Sequence, residues 1–143
     1  MQTPFMCALM GKSKMRIASV ERNTRETKIS LEINLDGRGE NQICTGIGFF
    51  DHMLTALSRH SFIDMKLKVD GDLEVDTHHT IEDTGIVIGE AIRKALGDKM
   101  GIRRYGSCIL PMDEALTLVA VDLSGRYFLN FDVNIPTEKV GTF

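Results

Sequence analysis

Three features are absent from this sequence, and each absence argues against a class of protein. No apolar run reaches the ~18 residues that a membrane-spanning helix needs. The formal net charge is -3, so the chain lacks the basic excess typical of nucleic-acid-binding proteins. There are only three cysteines, Cys7, Cys44 and Cys108, and an odd, widely spaced set favours reduced thiols in a cytosol over a disulfide framework. We therefore expect a cytoplasmic protein with no membrane or nucleic-acid partner.

The composition is that of an ordinary globular protein. The 143 residues are 43% hydrophobic and 26% charged, which is enough for one domain or for two small lobes that share a core. Residues 1–15 are rich in methionine and show neither periodicity nor a signal-peptide layout. We interpret them as a loose N-terminal extension or a start-site artefact.

Hydrophobic periodicity predicts an α+β fold. In chain order we predict a strand over 27–35, a return strand over 42–45, a helix over 49–59, a hairpin over 65–75 and a helix over 78–96. The first helix is predicted from apolar residues at positions 50, 53, 54 and 57, and the second from those at 81, 85, 88, 92 and 96. Gly97 is expected to end the second helix.

The sequence also contains an internal repeat, which indicates a duplicated unit. Residues 26–38 and residues 114–126, which lie 88 positions later, both run from a glutamate through an alternating strand and a tight turn to an arginine. A second copy would begin near Tyr105 and place strands at 109–123 and 127–133. Residues 141–143 resemble residues 48–50, where the first predicted helix begins, so we expect the second copy to be truncated before its helices. We thus divide the chain into an extension (1–15), a first α+β repeat (16–104) and the strands of a second repeat (105–143).

Two histidines and a glutamate occur within one turn of the second predicted helix. His78 and Glu82 are four residues apart and His79 and Glu82 are three apart, so all three side chains lie on neighbouring parts of one helix face. Imidazole nitrogens and a carboxylate held on a helix are suitable ligands for a first-row divalent metal ion. Adjacent histidines are also common as solvated surface residues. The surrounding residues favour the metal.

Five segments, in order, resemble the imidazoleglycerol-phosphate dehydratase family. These segments are GFFDHML (48–54), DTHHTIED (76–83), PMDEA (111–115), DLSGR (122–126) and IPTEKVGTF (135–143). The resemblance implies a duplicated α+β unit with helices packed between two mostly four-stranded sheets. It also implies trimers that assemble into a 24-subunit homo-oligomer around manganese at subunit contacts, with two ions per site in the complete enzyme.

The resemblance implies a hydro-lyase reaction in histidine biosynthesis. The family removes water from D-erythro-imidazole-glycerol phosphate and releases imidazole-acetol phosphate. Each half of a family member normally carries a lone histidine and a His-His-x-x-Glu turn, whereas only one such set occurs in this sequence. We therefore expect the 143-residue chain to be inactive by itself, or to be part of a longer polypeptide.

The resemblance also assigns roles to individual residues. The implied metal ligands are His52, His78, His79 and Glu82. The implied catalytic residues are Glu26, Glu82 and Asp113, and which carboxylate takes the first proton stays open. The implied substrate-binding residues are Glu26, His52, His60, His78, Glu82, Arg104 and Arg126, with the two arginines on the phosphate. Asp51 and Asp83 are predicted to orient the histidines.

Two other classes of protein remain as alternatives. A metal-dependent hydrolase would use the same donor types, but its signature is a single Glu base between two histidines, as in H-E-x-x-H, without phosphate-binding arginines beside an acid pair. A non-catalytic α+β module, similar to the related ribosomal and kinase domains, would be expected to lack the clustered histidines.

Overall fold

The computed structural model describes residues 15–137 and Lys139, and over these residues the chain forms an α+β structure. It divides into two compact units, one extending through Gly97 and one beginning at Asp98, and each is described by itself. The elements are β1 (Ile17–Asn23), β2 (Thr27–Asn34), β3 (Asn41–Cys44), α1 (Gly48–Ser61), β4 (Asp64–Gly71), α2 (His78–Leu96), β5 (Tyr105–Met112) and β6 (Ala115–Asp122). The predicted fold class and both predicted helices are confirmed.

The first unit contains a four-stranded sheet in the order β1-β2-β4-β3. β2 pairs antiparallel with both β1 and β4, and β3 pairs parallel with β4. The predicted return strand therefore exists, but its partner is β4 and not β2. Both edges of β2 are occupied by longer strands, so β3 can join the sheet only on the far side of β4.

The hairpin predicted over 65–75 is wrong in its second half. β4 forms as expected, but the following residues make tight turns, with the N–H of Leu73 donating to Gly71 O at 2.9 Å and that of Val75 to Asp72 O at 2.8 Å. Because β2 and β3 occupy both edges of β4, no edge is left for a second hairpin strand.

Alternate residues of the sheet point to one face and form the core of the first unit. This face carries Ala18, Val20, Ile29, Leu31, Ile33, Met65, Leu67 and Val69, all buried. Leu54 of α1 and Val87 and Ala91 of α2 pack against them. Each fully buried side chain of the size of Leu31 contributes about 1.5–3 kcal/mol relative to an exposed one, so this face provides the main stabilisation of the unit.

Both helices bury a face that is shifted from the predicted one. The buried residues of α2 are Thr80, Asp83, Thr84, Val87 and Ala91, whereas the predicted stripe begins one residue later at Ile81. In α1, Leu54 and Ser58 are buried, but Met53 and Leu57 are exposed. The helical spacing of the predicted stripes is confirmed, but the positions that are buried differ from the predicted ones. In α2, Thr80 lies close against Gly71 of β4, so a small hydroxyl side chain occupies the buried face where the prediction placed an isoleucine.

The second unit contains an antiparallel hairpin of β5 and β6 that repeats the β1–β2 hairpin. Ile17 pairs with Asn34 in the first hairpin and Tyr105 pairs with Asp122 in the second, so the 88-residue offset holds for both strands and for their register. This match supports the predicted duplication. The strand predicted over 109–123 is interrupted by a turn at Asp113, where φ is 49°, and residues 127–133 do not form the predicted strand.

Neither helix within residues 15–137 is long and apolar enough to cross a membrane. Cys44 and Cys108 are free and exposed, while Cys7 and residues 1–14 lie outside the described part of the chain.

Candidate metal and substrate site

The first turn of α2 presents the two adjacent histidines and the glutamate. The helix begins at His78, whose backbone N–H donates to Asp76 Oδ1 at 2.7 Å. His78 Nε2 lies 3.4 Å from Glu82 Oε2, and these side chains are 71% and 59% exposed. The turn thus places one nitrogen donor beside one oxygen donor, both open to solvent.

His79 has a different environment from His78. The two rings lie edge to face, with centroids 5.8 Å apart. His79 Nδ1 is within 3.0 Å and 3.2 Å of the two carboxylate oxygens of Asp72. This hydrogen bond raises the pKa of His79, and the charges of Asp72, Asp76 and Glu26 act in the same direction. With Nδ1 engaged, Nε2 is the nitrogen that remains for a ligand.

Asp72 is not among the predicted site residues, because Asp70-Gly71 resembles the turn of a hairpin. β4 ends at Gly71, where a Cβ atom would collide with the hydroxyl of Thr80 in α2. Only glycine allows this close approach, which brings Asp72 to the first turn of the helix. A glycine followed by an acid shortly before a His-His pair is the signal that could have identified it.

Glu26 lies in the turn between β1 and β2, close enough to His79 for its charge to affect that imidazole. Its carbonyl oxygen accepts a hydrogen bond from the N–H of Asp72 at 3.0 Å. The hydroxyl of Thr24 stabilises the turn by accepting the N–H groups of Glu26 at 3.2 Å and Thr27 at 2.9 Å. The structure thus brings together three separate segments: the β1–β2 turn, the end of β4 and the start of α2.

Asp83 binds the sheet and not a histidine. It accepts hydrogen bonds from Thr27 Oγ1 at 2.5 Å and from Arg22 Nε at 3.1 Å, and Arg22 Nη2 lies 3.0 Å away. The hydrogen bond from Thr27, followed by those from Arg22, holds the pKa of Asp83 below its ordinary value. Asp83 therefore connects α2 to the turn in which Glu26 lies.

Asp51 also has its contacts elsewhere than predicted. Its carboxylate accepts the N–H of Thr45 at 2.8 Å and the hydroxyl of the same residue at 2.7 Å. Asp51 thus fixes the loop before α1. The prediction that Asp51 and Asp83 orient the histidines is replaced by the observed pairing of Asp72 with His79.

His52 and His60 lie exposed on α1, apart from the group at the start of α2. α1 packs on β3 and β4, while α2 packs mainly on β1 and β2. Among the described residues of this single chain, no group of three His, Cys, Asp or Glu side chains is placed to hold a metal ion. Of the four predicted ligands, His78 lies beside both Glu82 and His79 at the start of α2, whereas His52 lies on α1.

The other predicted site residues belong to the second unit. Arg104 donates from Nε and Nη2 to the two carboxylate oxygens of Asp122, at 2.6 Å and 3.1 Å, and its guanidinium lies 4.9 Å from the centroid of the Tyr105 ring. This pairing raises the pKa of Arg104 and lowers that of Asp122. Asp113 is at the tip of the β5–β6 hairpin, and Arg126 is exposed just after β6.

Comparisons with known proteins identify a family for this chain. The family model described as imidazoleglycerol-phosphate dehydratase matches residues 45–143. Proteins named imidazoleglycerol-phosphate dehydratase from Dinoroseobacter shibae and Clostridium acetobutylicum are 59% and 60% identical to this chain. Each match covers 90% of this chain, and 66% and 65% of the two relatives respectively.

Two solved structures show the same fold. The imidazoleglycerol-phosphate dehydratase of Staphylococcus aureus superposes with a TM-score of 0.78 at 39% identity, covering 89% of this chain and 69% of that one. The enzyme of Pyrococcus furiosus, determined in complex with (S)-C348, superposes with a TM-score of 0.69 at 42% identity, covering 81% and 61%.

The family model, the curated relatives and the solved structures thus agree on one class of α+β proteins, to which this fold belongs. The chain belongs to the imidazoleglycerol-phosphate dehydratase family. It spans about two thirds of the length of the curated relatives, 66% in the case of the Dinoroseobacter shibae protein.

Proposed function

We propose that this chain is a subunit of a cytoplasmic imidazoleglycerol-phosphate dehydratase of histidine biosynthesis. The reaction would remove water from D-erythro-imidazole-glycerol phosphate and release imidazole-acetol phosphate. Membership of the family supports this proposal. The single structural observation that carries it is the accessible pair of His78 and Glu82, 3.4 Å apart on the first turn of α2.

The donor chemistry of this pair fits Mn²⁺. An imidazole nitrogen beside a carboxylate oxygen suits a first-row ion that accepts mixed nitrogen and oxygen ligands. His78 and Glu82 would hold one ion, and His52 and His79 would contribute to sites completed by neighbouring subunits, with two ions per site in a 24-subunit assembly. Such an ion would supply electrostatic stabilisation of the negative charge that develops on the substrate's imidazole ring.

The chain's own carboxylates would move the protons. Glu26 is the stronger candidate, because its turn is tied to Asp72 and its charge reaches His79. A carboxylate there could take or return a proton at the carbons beside the ring. Asp113, at the tip of the second hairpin, remains the alternative.

Arg104 and Arg126 would bind the substrate phosphate. Arg104 donates two parallel hydrogen bonds to the carboxylate of Asp122. Guanidinium groups bind phosphate oxygens with the same geometry. Phosphate would replace Asp122 as its partner, while Arg126 would add a second positive charge.

Metal binding provides the first test. Purified chain should bind Mn²⁺, measured by loss of the free-ion electron paramagnetic resonance signal, and His78→Ala and Glu82→Gln should each weaken this binding at least about tenfold. Glu74→Gln, which removes an exposed carboxylate from the preceding loop, is the matched control. Binding of Mn²⁺ that is unaffected by both substitutions would refute the proposed site.

Turnover provides the second test. Because the sequence contains one His-His-x-x-Glu turn, we expect the 143-residue chain to be inactive on imidazoleglycerol phosphate with Mn²⁺, and robust activity would contradict this expectation. A chimera can be made by joining this chain to the part of the Staphylococcus aureus enzyme that the superposition does not cover. This chimera should convert the substrate to a product lighter by one water. His78→Ala should abolish this conversion. Release of inorganic phosphate instead would identify a hydrolase.

A further inference from the structure

We propose that Asp72 is a positioning residue for His79: its carboxylate fixes the ring and the Nδ1–H tautomer, so that Nε2 is the only nitrogen available for binding. What Nε2 binds rests on the proposed function. The orientation itself is a property of this chain and can be tested without metal or substrate.

The contact between the two side chains is specific in geometry. His79 Nδ1 faces both oxygens of Asp72, at 3.0 Å and 3.2 Å. A carboxylate can only accept, so the nitrogen that faces it must carry the hydrogen. The side chains of His79 and Asp72 are 39% and 18% exposed, so this pair is screened less by water than a fully exposed pair would be.

The backbone of Asp72 is held on both sides, which fixes where its carboxylate can reach. Its N–H donates to Glu26 O at 3.0 Å, and its carbonyl accepts the N–H of Val75 at 2.8 Å. Just before it, Gly71 packs so closely on Thr80 that a Cβ would not fit. A side chain on such a fixed backbone position can impose an orientation, and a mobile surface carboxylate cannot.

His78 shows the contrasting arrangement on the same turn. Its Nε2 faces Glu82, which is itself a predicted ligand, and both side chains are largely exposed. The two adjacent imidazoles therefore have different partners: His78 lies beside a second donor, and His79 is backed by a carboxylate on its far nitrogen. Carboxylates that bind the far nitrogen of a ligating histidine commonly raise its basicity and fix its tautomer.

The tautomer of His79 is the direct test. In the full metal-free chain, long-range ¹H–¹⁵N correlation spectra assign the protonated nitrogen at a pH well above the pKa of His79, which Asp72 raises above that of free imidazole. We expect the Nδ1–H form in the wild type and in Asp72→Asn, which retains a carbonyl acceptor, and a shift towards Nε2–H in Asp72→Ala. Glu74→Gln should leave the wild-type tautomer. A wild-type His79 in the Nε2–H form would overturn the proposal without any variant.

Mn²⁺ affinity is the second measurement. We expect Asp72→Ala to weaken binding about 10–100-fold, Asp72→Asn to weaken it less and Glu74→Gln to change it little. Unfolding by urea, followed for each variant, separates a loss of fold from a loss of orientation. If the tautomer and the affinity change as expected but the chimera shows no dehydratase activity, the role of Asp72 stands and the proposed function fails. Unchanged tautomer and affinity in folded Asp72→Ala would overturn the role of Asp72 whatever the activity.

Discussion

The two hairpins of this chain have the same register and very different surroundings. In the first hairpin, every second residue of β2 is buried on the face against which α2 packs, and Leu31 is completely inaccessible. Its counterpart in the second hairpin, Val119, is 49% exposed, and all residues of β5 and β6 are exposed. Strand pairing is therefore a local property that the repeat reproduces, whereas burial depends on the helices that cover the sheet.

The polar residues of the hairpins differ as well. In the first hairpin, Arg22, Thr24 and Thr27 surround Asp83 of α2 and tie the turn with Glu26 to the helix. The positions 88 residues later hold apolar side chains, Leu110, Met112 and Ala115. The acid at the turn is repeated as Glu114, but its anchoring network is not. The turn of the first hairpin is thus anchored to a helix, whereas the second hairpin repeats the strand pairing and the acid without these contacts.

Substitutions at equivalent positions of the two hairpins should give the largest difference in the free energy of unfolding. Leu31→Ala should lower the free energy of unfolding by about 2–5 kcal/mol, because it leaves a cavity in the packed sheet face. Val119→Ala, at the equivalent position, should cost less than about 1 kcal/mol because the side chain is half exposed. Both helices lie in the first unit, so urea unfolding followed by helical circular dichroism reports on it. Equal losses of unfolding free energy from the two substitutions would show that the two hairpins do not differ in how much burial stabilises them.

Loss of the Asp83 anchor should have the next largest effect. Asp83→Ala removes the acceptor of the Arg22 guanidinium and the nearer of the two partners of the Thr27 hydroxyl, which keeps only Thr24 Oγ1 at 3.2 Å, at a cost of about 1–3 kcal/mol. A double-mutant cycle with Thr27→Val isolates the coupling, which should be favourable by at least about 0.5 kcal/mol. Strictly additive losses in urea unfolding would show that this hydrogen bond does not join the hairpin to α2.

Removal of the polar group of Thr84, which lies next to Asp83 on the buried face of α2, should stabilise the chain. Thr84 Oγ1 is buried and has no hydrogen-bond partner among the described residues. Thr84→Val keeps the shape and removes the unsatisfied hydroxyl, so we expect a gain of about 0.5–1.5 kcal/mol in the free energy of unfolding. The conservative change Thr84→Ser, which keeps the hydroxyl and loses a methyl group, is the control. A destabilised Thr84→Val would indicate a partner for this hydroxyl.

Local patterns in the sequence predicted the local structure well. The helix over 78–96, its end at Gly97 and the α+β class are confirmed because each depends on residues close in sequence. Several of the errors concern the edges of the sheet and the faces of the helices, while those at 109–123 and 127–133 concern where a strand forms. The partner of β3 and the absence of a strand at Leu73–Val75 are decided by which edges of β2 and β4 are already occupied. That information is not present in any single segment.

The candidate site was predicted in part for the same reason. The pair of His78 and Glu82 follows from helical spacing alone, and the structure contains it. Asp72 became visible only in three dimensions, because its contact with His79 depends on the glycine that lets β4 approach α2. Asp83 was assigned to the histidines from its sequence neighbours, but the helix turns it towards the sheet. Side-chain direction on a helix depends on the buried face, and the predicted face was shifted by one residue.

Substitution of Asp64 should change the free energy of unfolding in a pH-dependent way, by less than the substitutions above. Its carboxylate accepts the N–H groups of Arg38 at 2.7 Å and Glu40 at 3.0 Å and so closes the link between β2 and β3, for which the described part of the second unit has no counterpart. These hydrogen bonds lower the pKa of Asp64 in the folded chain, so it contributes stability above its unfolded pKa of about 3.9 and loses it as the pH falls through the folded value. Asp64→Asn should therefore be less stable than the wild type in urea at neutral pH, and the gap should close as the pH falls below about 4. Asp70→Asn removes an exposed carboxylate from the same strand and serves as the control. A gap that stays constant down to acid pH, or one that Asp70→Asn reproduces, would show that the link is not held by the charge of Asp64.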